Sequence, residues 1–439
     1  MLFCRNVVVL VVFSSLAVHA DDWPQWMGPK RDGHWREQGI VEKFPSGGPK
    51  VKWRQKVSLG YAGPAVANGR VFLFDYERSG GEVDNNPGKR VELQGKERLL
   101  CFDAASGKPL WKYEYDQPYS ISYPSGPRCT PTVAEGKVYA LGAEGNLTCL
   151  DAAKGDVLWK KDLQAEYKTK APIWGFCAHP LVDGKKLICV VGGTGSVAVA
   201  FNKDTGEELW RALSASEQGY CPPTIIEHGG VRQLMIWDAD KLSSLDPETG
   251  NVYWSQPLKP SYGMAIMAPQ ISGDYLFASA IGNVAALYKL SSEKPAAEVV
   301  WTGKPKLGVY AANSTPLIDG KTLYGVDCDQ GMLMAVDLET GKRLWETGAP
   351  SSGQTRRTGH GTAFLVKQAD RYFIFGETGD LVIAELSPKQ YKEIDRAHLL
   401  APTGEAFGRK VVWSHPAFAN RCCFARNDEE IVCVDLAAE

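Results

Sequence analysis

The chain has 439 residues, 44% of them hydrophobic and 23% charged, which is enough apolar material for a large folded core. Its 49 basic and 51 acidic side chains nearly cancel, to a formal charge of −2. No basic run stands out, which argues against a nucleic-acid partner.

Taken in chain order, the first element reads as a secretory signal over residues 1–20. Arg5 supplies the positive end. Val7 to Leu16 is apolar apart from Ser14 and Ser15, and Val18-His19-Ala20 is a small-residue cleavage site before Asp21-Asp22. The apolar run is too short to span a bilayer. The expectation is an exported protein, periplasmic or secreted, without a transmembrane segment. Removing Cys4 with the signal leaves ten of the 11 cysteines. Residues 21–50 form a Gly/Pro-rich leader with Trp23, Trp26 and Trp35, expected to pack on the outside of the domain over residues 51–439.

That domain is built on a repeat. Five segments place Asp or Asn, then Gly four residues on, then Trp four further on. They are Asp103/Gly107/Trp111, Asp151/Gly155/Trp159, Asn202/Gly206/Trp210, Asp246/Gly250/Trp254 and Asp337/Gly341/Trp345. A sixth unit keeps Trp301 but lacks the glycine. In the second unit the pieces around this phrase are CTPTVA, KVYALG, LTCLD and VLWKKDL, four short β-type runs separated by turn residues. The Asp-x-x-x-Gly phrase falls between the third and fourth strands. The carboxylate can cap backbone amides of the turn, and the glycine can take the left-handed conformation. The tryptophan then fills the joint with a neighbouring unit, because one repeat alone cannot bury it.

Four-stranded units of about 45 residues imply propeller blades. Pro64, Pro131, Pro180, Pro223, Pro269, Pro316 and Pro416, with Thr362 in the remaining unit, mark eight inner-strand starts. The chain stops at Glu439, before the last unit gains its outer strand. Val51 to Val57, with Trp53, looks like that missing strand and is expected to pair near Ile431 to Leu436. The fold class is therefore all-β, an eight-bladed β-propeller of four-stranded antiparallel blades closed by an N-terminal strand. Seven blades would follow if the degenerate unit near Tyr391–Ile394 is not one. Glu77 to Arg98 reads as a polar surface loop, and Gly192-Gly193-Thr194-Gly195 as a hairpin turn.

The phrase Val336-Asp337-Leu338-Glu339-Thr340-Gly341-Lys342-Arg343-Leu344-Trp345 resembles the tryptophan-docking motif of pyrroloquinoline-quinone-like propellers. Asp22-Trp23-Pro24-Gln25-Trp26-Met27-Gly28-Pro29 resembles openings of exported bacterial members. The resemblance spans residues 22 to 439 and implies one of two branches: quinone-dependent alcohol or sugar dehydrogenases, or BamB-type scaffolds of outer-membrane assembly. The dehydrogenase branch implies the quinone PQQ with calcium, a carboxylate base and often a vicinal disulfide, to which Cys422-Cys423 corresponds. On a strand, however, neighbours point to opposite faces, which disfavours that bridge. No calcium ligand or catalytic aspartate of that branch maps onto the chain, so no metal site is assigned. Cys101, Cys149 and Cys433 recur two residues before the turn aspartate, as small buried apolar groups. Cys129, Cys177 and Cys221 lie at inner-strand entries.

The loops before the inner strands converge on one face and carry the candidate ligand-binding rim. They bring Tyr61, Arg128, Trp174, His179, Tyr220 and Tyr262 from the first five units. Tyr310, Asn313, Arg356, Arg357, His360 and His415 come from the last three. Three of the six non-signal histidines share this repeat position. The same residues would also serve simply to brace the rim through loop carbonyls. The favoured reading is a monomeric binding scaffold whose mouth takes a protein, glycan or small molecule; the alternative is the quinone-dependent dehydrogenase.

Overall fold

In a computed structural model the described residues are 21–353 and 357–438. The expected secretory signal and Arg356 lie outside them.

Eight antiparallel sheets form a closed ring. Their inner strands begin at Ala65, Thr132, Leu181, Thr224, Gln270, Leu317, Ala363 and Ala417, each directly after the proline or threonine that marks its start. Blade 8 consists of Ala417–Ala419, Cys422–Arg426 and Glu430–Asp435, and its outer strand is Val51–Lys56. Trp53 pairs with Cys433 and Gln55 with Ile431, so the N-terminal strand closes the ring and leaves no gap in the circle of blades. The unit at Tyr391–His398 is a full outer strand, and the count is eight.

The joints explain the repeat. The Trp111 indole donates to the Ala152 carbonyl at 3.2 Å, and Trp345 donates to that of Ser387 at 2.8 Å. Each acceptor lies in the turn of the next blade. The Trp111 indole lies against the glycine of its turn, where a Cβ on Gly155 would sit 2.6 Å from the ring and the backbone has φ of +79°. Both facts demand glycine there. The turn under Trp345, Ser387-Pro388-Lys389-Gln390, has no glycine. The turn aspartate accepts from the backbone, as Asp103 does from Ser106 N at 2.8 Å. Each outer strand carries a one-residue bulge directly before the tryptophan position, as between Val157 and Trp159, and this turns the ring toward its neighbour. Trp254 is the exception. The next blade's turn lacks the glycine, as does the one under Trp345, but the Trp254 indole donates to Gln233 of its own blade at 3.1 Å.

The expected loop over Glu77 to Arg98 is mostly sheet. Arg70–Gly80 and Val91–Asp103 make a long hairpin, with Tyr119–Ile121 added at its end. Its polar character is that of a paired ladder rather than a loop. Arg98 grips Asp75 through two nitrogens at 2.9 and 2.8 Å. Tyr76 stacks on Tyr119 at 4.0 Å. Only residues 81–90 form a connecting loop.

The leader also differs from expectation. Its first part lies across the central channel, hydrogen-bonded to inner strands, while residues 40–44 run out along blades 7 and 8, where Val41 N donates to Leu436 O and Phe44 N to Asp395 of an outer strand. Trp23 and Val66 exchange backbone bonds at 2.8 Å in both directions, Val133 N donates to Pro24 O, and Trp35 N donates to Lys367 O. Three tryptophans need a large apolar surface to cover them, and the channel supplies it. All three are buried.

Candidate functional site

The inner-strand entries and the leader enclose one cavity of about 820 Å³ on the channel axis. Nine aromatic side chains face it, so its walls are mainly ring surface. That size and lining are those of a small-ligand pocket.

Trp26 and the strand-entry histidines form the floor. His179 stacks on Trp26 at 4.9 Å, and Trp26 Nε1 donates to His415 Nε2 at 3.2 Å. His179 Nδ1 accepts from Thr130 N at 3.0 Å. Burial holds both imidazoles neutral, with His415 pushed down to about 3 and His179 well below its usual range, where nearby Arg31 adds to the effect. Arg31 itself anchors the leader to the carbonyls of His179 and Pro180 at 3.1 and 2.9 Å. His360 Nδ1 lies 3.0 Å from Cys328 Sγ, whose pKa burial raises, and either the thiol or the imidazole is the donor according to the tautomer. His179 and His415 thus each have one nitrogen occupied as an acceptor. The other carries the hydrogen, and among the described residues it meets no protein acceptor.

Two insertions roof the mouth. The 81–90 loop places Pro87 and Gly88 at the cavity. The hairpin Gly404–Ala406/Arg409–Val411 carries Phe407 at its tip, which stacks on His360 at 4.1 Å. Asn85 Nδ2 donates to Glu405 O and joins the two.

Of the rim residues expected from sequence, Tyr61, Arg128, Trp174, His179, Tyr220 and Tyr262 line the cavity. Asn313, His360 and His415 do so as well. Two others do not. Tyr310 is buried with its hydroxyl on the carbonyls of Lys304 and Leu307, both at 2.6 Å. Arg357 points to solvent and pairs with Glu346 at 3.3 Å. Arg128 is present but spent: it donates to the carbonyls of Ser122, Tyr123 and Gly126, and its guanidinium lies over Tyr61. It braces the rim. Cavity residues outside the expected rim set include Trp26, Tyr123, Glu217, Phe364, Phe407 and Trp413. Tyr220 was expected, and its hydroxyl holds Glu217 Oε1 at 2.9 Å.

All ten cysteines from Cys101 to Cys433 are free. Cys177 lines the cavity with its thiol raised to about 11 by burial, while Cys129 and Cys221 are buried away from it. Cys422 and Cys423 are buried in blade 8.

The family model described as outer membrane protein assembly factor BamB matches residues 95–347 and 239–439. The chain belongs to that family of pyrroloquinoline-quinone-like propellers. BamB of Shewanella oneidensis is 25% identical over 218 residues, 46% of this chain and 54% of that protein. The chain therefore spans about half the length of this relative. The crystal structure of BamB from Moraxella catarrhalis superposes with a TM-score of 0.57 at 14% identity, covering 88% of this chain and 97% of that one. The quinohemoprotein alcohol dehydrogenase of Comamonas testosteroni superposes with a TM-score of 0.61 at 12% identity, covering 95% and 81%. At these identities the two structures share the fold.

The cavity's donor set does not fit the quinone and calcium of the dehydrogenase branch. Calcium takes about six to eight oxygen ligands, mostly carboxylates and carbonyls. Here Glu217 is the one carboxylate in the lining, and Tyr220 already holds it. The polyanionic quinone needs cations, and Arg128 is committed to carbonyls.

Proposed function

We propose that this family member is an exported, monomeric binding scaffold, working in the periplasm or outside the cell, that holds a ligand in its mouth cavity. The ligand classes compatible with the cavity are a protein segment, a glycan or a small molecule. One observation carries this reading. The cavity presents ring surface and, on His179 and His415, imidazoles with one nitrogen engaged by a neighbour and the other left for a ligand. Among the described residues its carboxylate, Glu217, is held by the Tyr220 hydroxyl and its histidines are engaged by Trp26, Thr130 and Cys328, an arrangement that favours binding over general acid–base chemistry. A role in outer-membrane protein assembly rests on family membership rather than on the cavity.

Trp174 and Trp413 face the cavity, so bound ligand should change intrinsic fluorescence. Trp174→Ala should weaken binding by about tenfold or more, a loss of roughly 1.4 kcal/mol, with the melting temperature nearly unchanged. Unaltered affinity in that variant would place binding elsewhere on the ring.

A further inference from the structure

Backbone geometry singles out the mouth. Among the described residues, four ring-bearing side chains other than proline sit at left-handed φ: Tyr123 at 47°, Tyr262 at 58°, His360 at 56° and Phe407 at 50°. All four line the cavity. They come from four separate loops; the two-residue hairpin turn Phe407-Gly408 sets the sign of φ at Phe407, as Glu135-Gly136 does elsewhere, but no such hairpin turn holds Tyr123, Tyr262 or His360. Bulky residues are disfavoured in this conformation, which glycine adopts freely. Tyr262 is also 80% exposed, and Phe407 45%. Neither is held there by burial in a core. Residues kept in disfavoured backbone at the rim of a cavity have a use there.

We infer that Tyr262 and Phe407, with Tyr123 and His360 behind them, are contact residues for a neutral, hydroxyl-rich ring compound, a short saccharide. This rests on the reading of the mouth as a ligand site and names what it takes. The ring faces suit the apolar face of a pyranose. The free N–H groups of His179 and His415 offer donors, while the second oxygen of Glu217 and the Asn313 side-chain carbonyl offer acceptors. A hydroxyl group answers both kinds. A charged ligand is matched less well. Arg128 has its guanidinium N–H groups on three carbonyls, so it offers an anion its charge but not the direct hydrogen bonds of a free guanidinium. An organic cation would meet the two imidazole N–H dipoles of His179 and His415, which have the wrong sign. The cavity is closed below by Trp26 and the leader, which suits a compact ligand rather than a chain passing through.

The test uses the mature chain on an array of neutral and anionic glycans, followed by calorimetric titration of the best neutral trisaccharide. A capped aromatic peptide and tetramethylammonium serve as comparison probes. Neutral glycans should bind. Tyr262→Gly should weaken the trisaccharide about tenfold or more while its melting temperature equals or exceeds that of the wild type. The inference is overturned if only anionic glycans, the peptide or tetramethylammonium bind, if no probe binds, or if Tyr262→Gly leaves trisaccharide affinity intact. Binding of another probe that Trp174→Ala still abolishes would overturn the saccharide class while leaving the cavity as the binding site. Binding indifferent to Trp174→Ala would overturn the cavity itself.

Discussion

The blade joints and the channel mouth face the same backbone problem and meet it differently. At the joints, the left-handed position in the docking turn is glycine: Gly107, Gly155, Gly206, Gly250 and Gly341 have φ between 70° and 79°. A tryptophan covers each of the first four, and Trp301 with Leu307 covers Gly341. At the mouth, the same region of backbone space holds tyrosine, histidine and phenylalanine. The joints therefore combine relaxed backbone with large buried rings, the arrangement that favours stability. The mouth accepts strained backbone with partly exposed rings, and what it gains is an aromatic surface facing a cavity.

The joints should show the larger effects when broken. Trp210 is 9% exposed, lies over Gly250 and donates to Pro247 O at 3.2 Å. Trp210→Ala should cost about 3–5 kcal/mol in urea unfolding, from lost burial and the cavity left between blades. Trp254 has no docking glycine and turns back to Gln233, so Trp254→Ala should cost about 2 kcal/mol, toward the middle of the usual range for single substitutions. Equal losses in the two variants would show that the glycine-backed dock adds nothing to the joint.

The next largest effect belongs to the floor of the mouth. Burial lowers the His415 pKa to about 3 from an ordinary 6.5. The unfolded chain therefore takes up a proton first as pH falls. The stabilisation is whole above pH 6.5 and is lost progressively as pH drops from there toward 3. By pH 5 the loss is about 2 kcal/mol. Asp327, raised to about 6 by burial, acts with the opposite sign over part of this range. The comparison must therefore be between proteins. His415→Asn should lose about 2 kcal/mol less than the wild type between pH 7 and pH 5. Matching pH profiles would mean that His415 is not held neutral.

These contrasts also explain what could be read from the residues alone. The joints follow one period, so five copies of a single phrase reveal the blades, and the truncated last unit reveals its partner at Val51–Lys56. The rim was legible as far as repeat phase extends, since the loop before each inner strand must point to one face. Phase says nothing about how deep a side chain sits, and Tyr310 and Arg357 fall on the two sides of that gap. Trp26, Phe407 and Trp413 lie outside the repeat, in the leader and in an insertion between blades. Three leader tryptophans announce burial, but nothing in their spacing distinguishes the outer face from the channel. The one-residue bulge before each docking tryptophan is a pairing feature, and no residue type marks it.

The smallest effect calibrates the comparison. Gly136 follows Glu135 in a two-residue hairpin turn, has φ of +77°, and has nothing within 4 Å of where a Cβ would lie. Gly136→Ala introduces backbone strain with no clash and should cost about 1 kcal/mol in urea unfolding. Gly155 has a similar φ of +79°, but the Trp111 ring lies 2.6 Å from the added Cβ. The excess cost of Gly155→Ala over Gly136→Ala therefore measures the dock. The Gly136→Ala cost measures what one side chain in this conformation imposes on this fold. If it is about 1 kcal/mol, Tyr262→Gly should recover a similar amount, because its exposed ring has little packing to lose. A negligible cost at Gly136 would remove strain as the feature that sets the mouth apart, and exposure of its rings would then be all that distinguishes it from the joints.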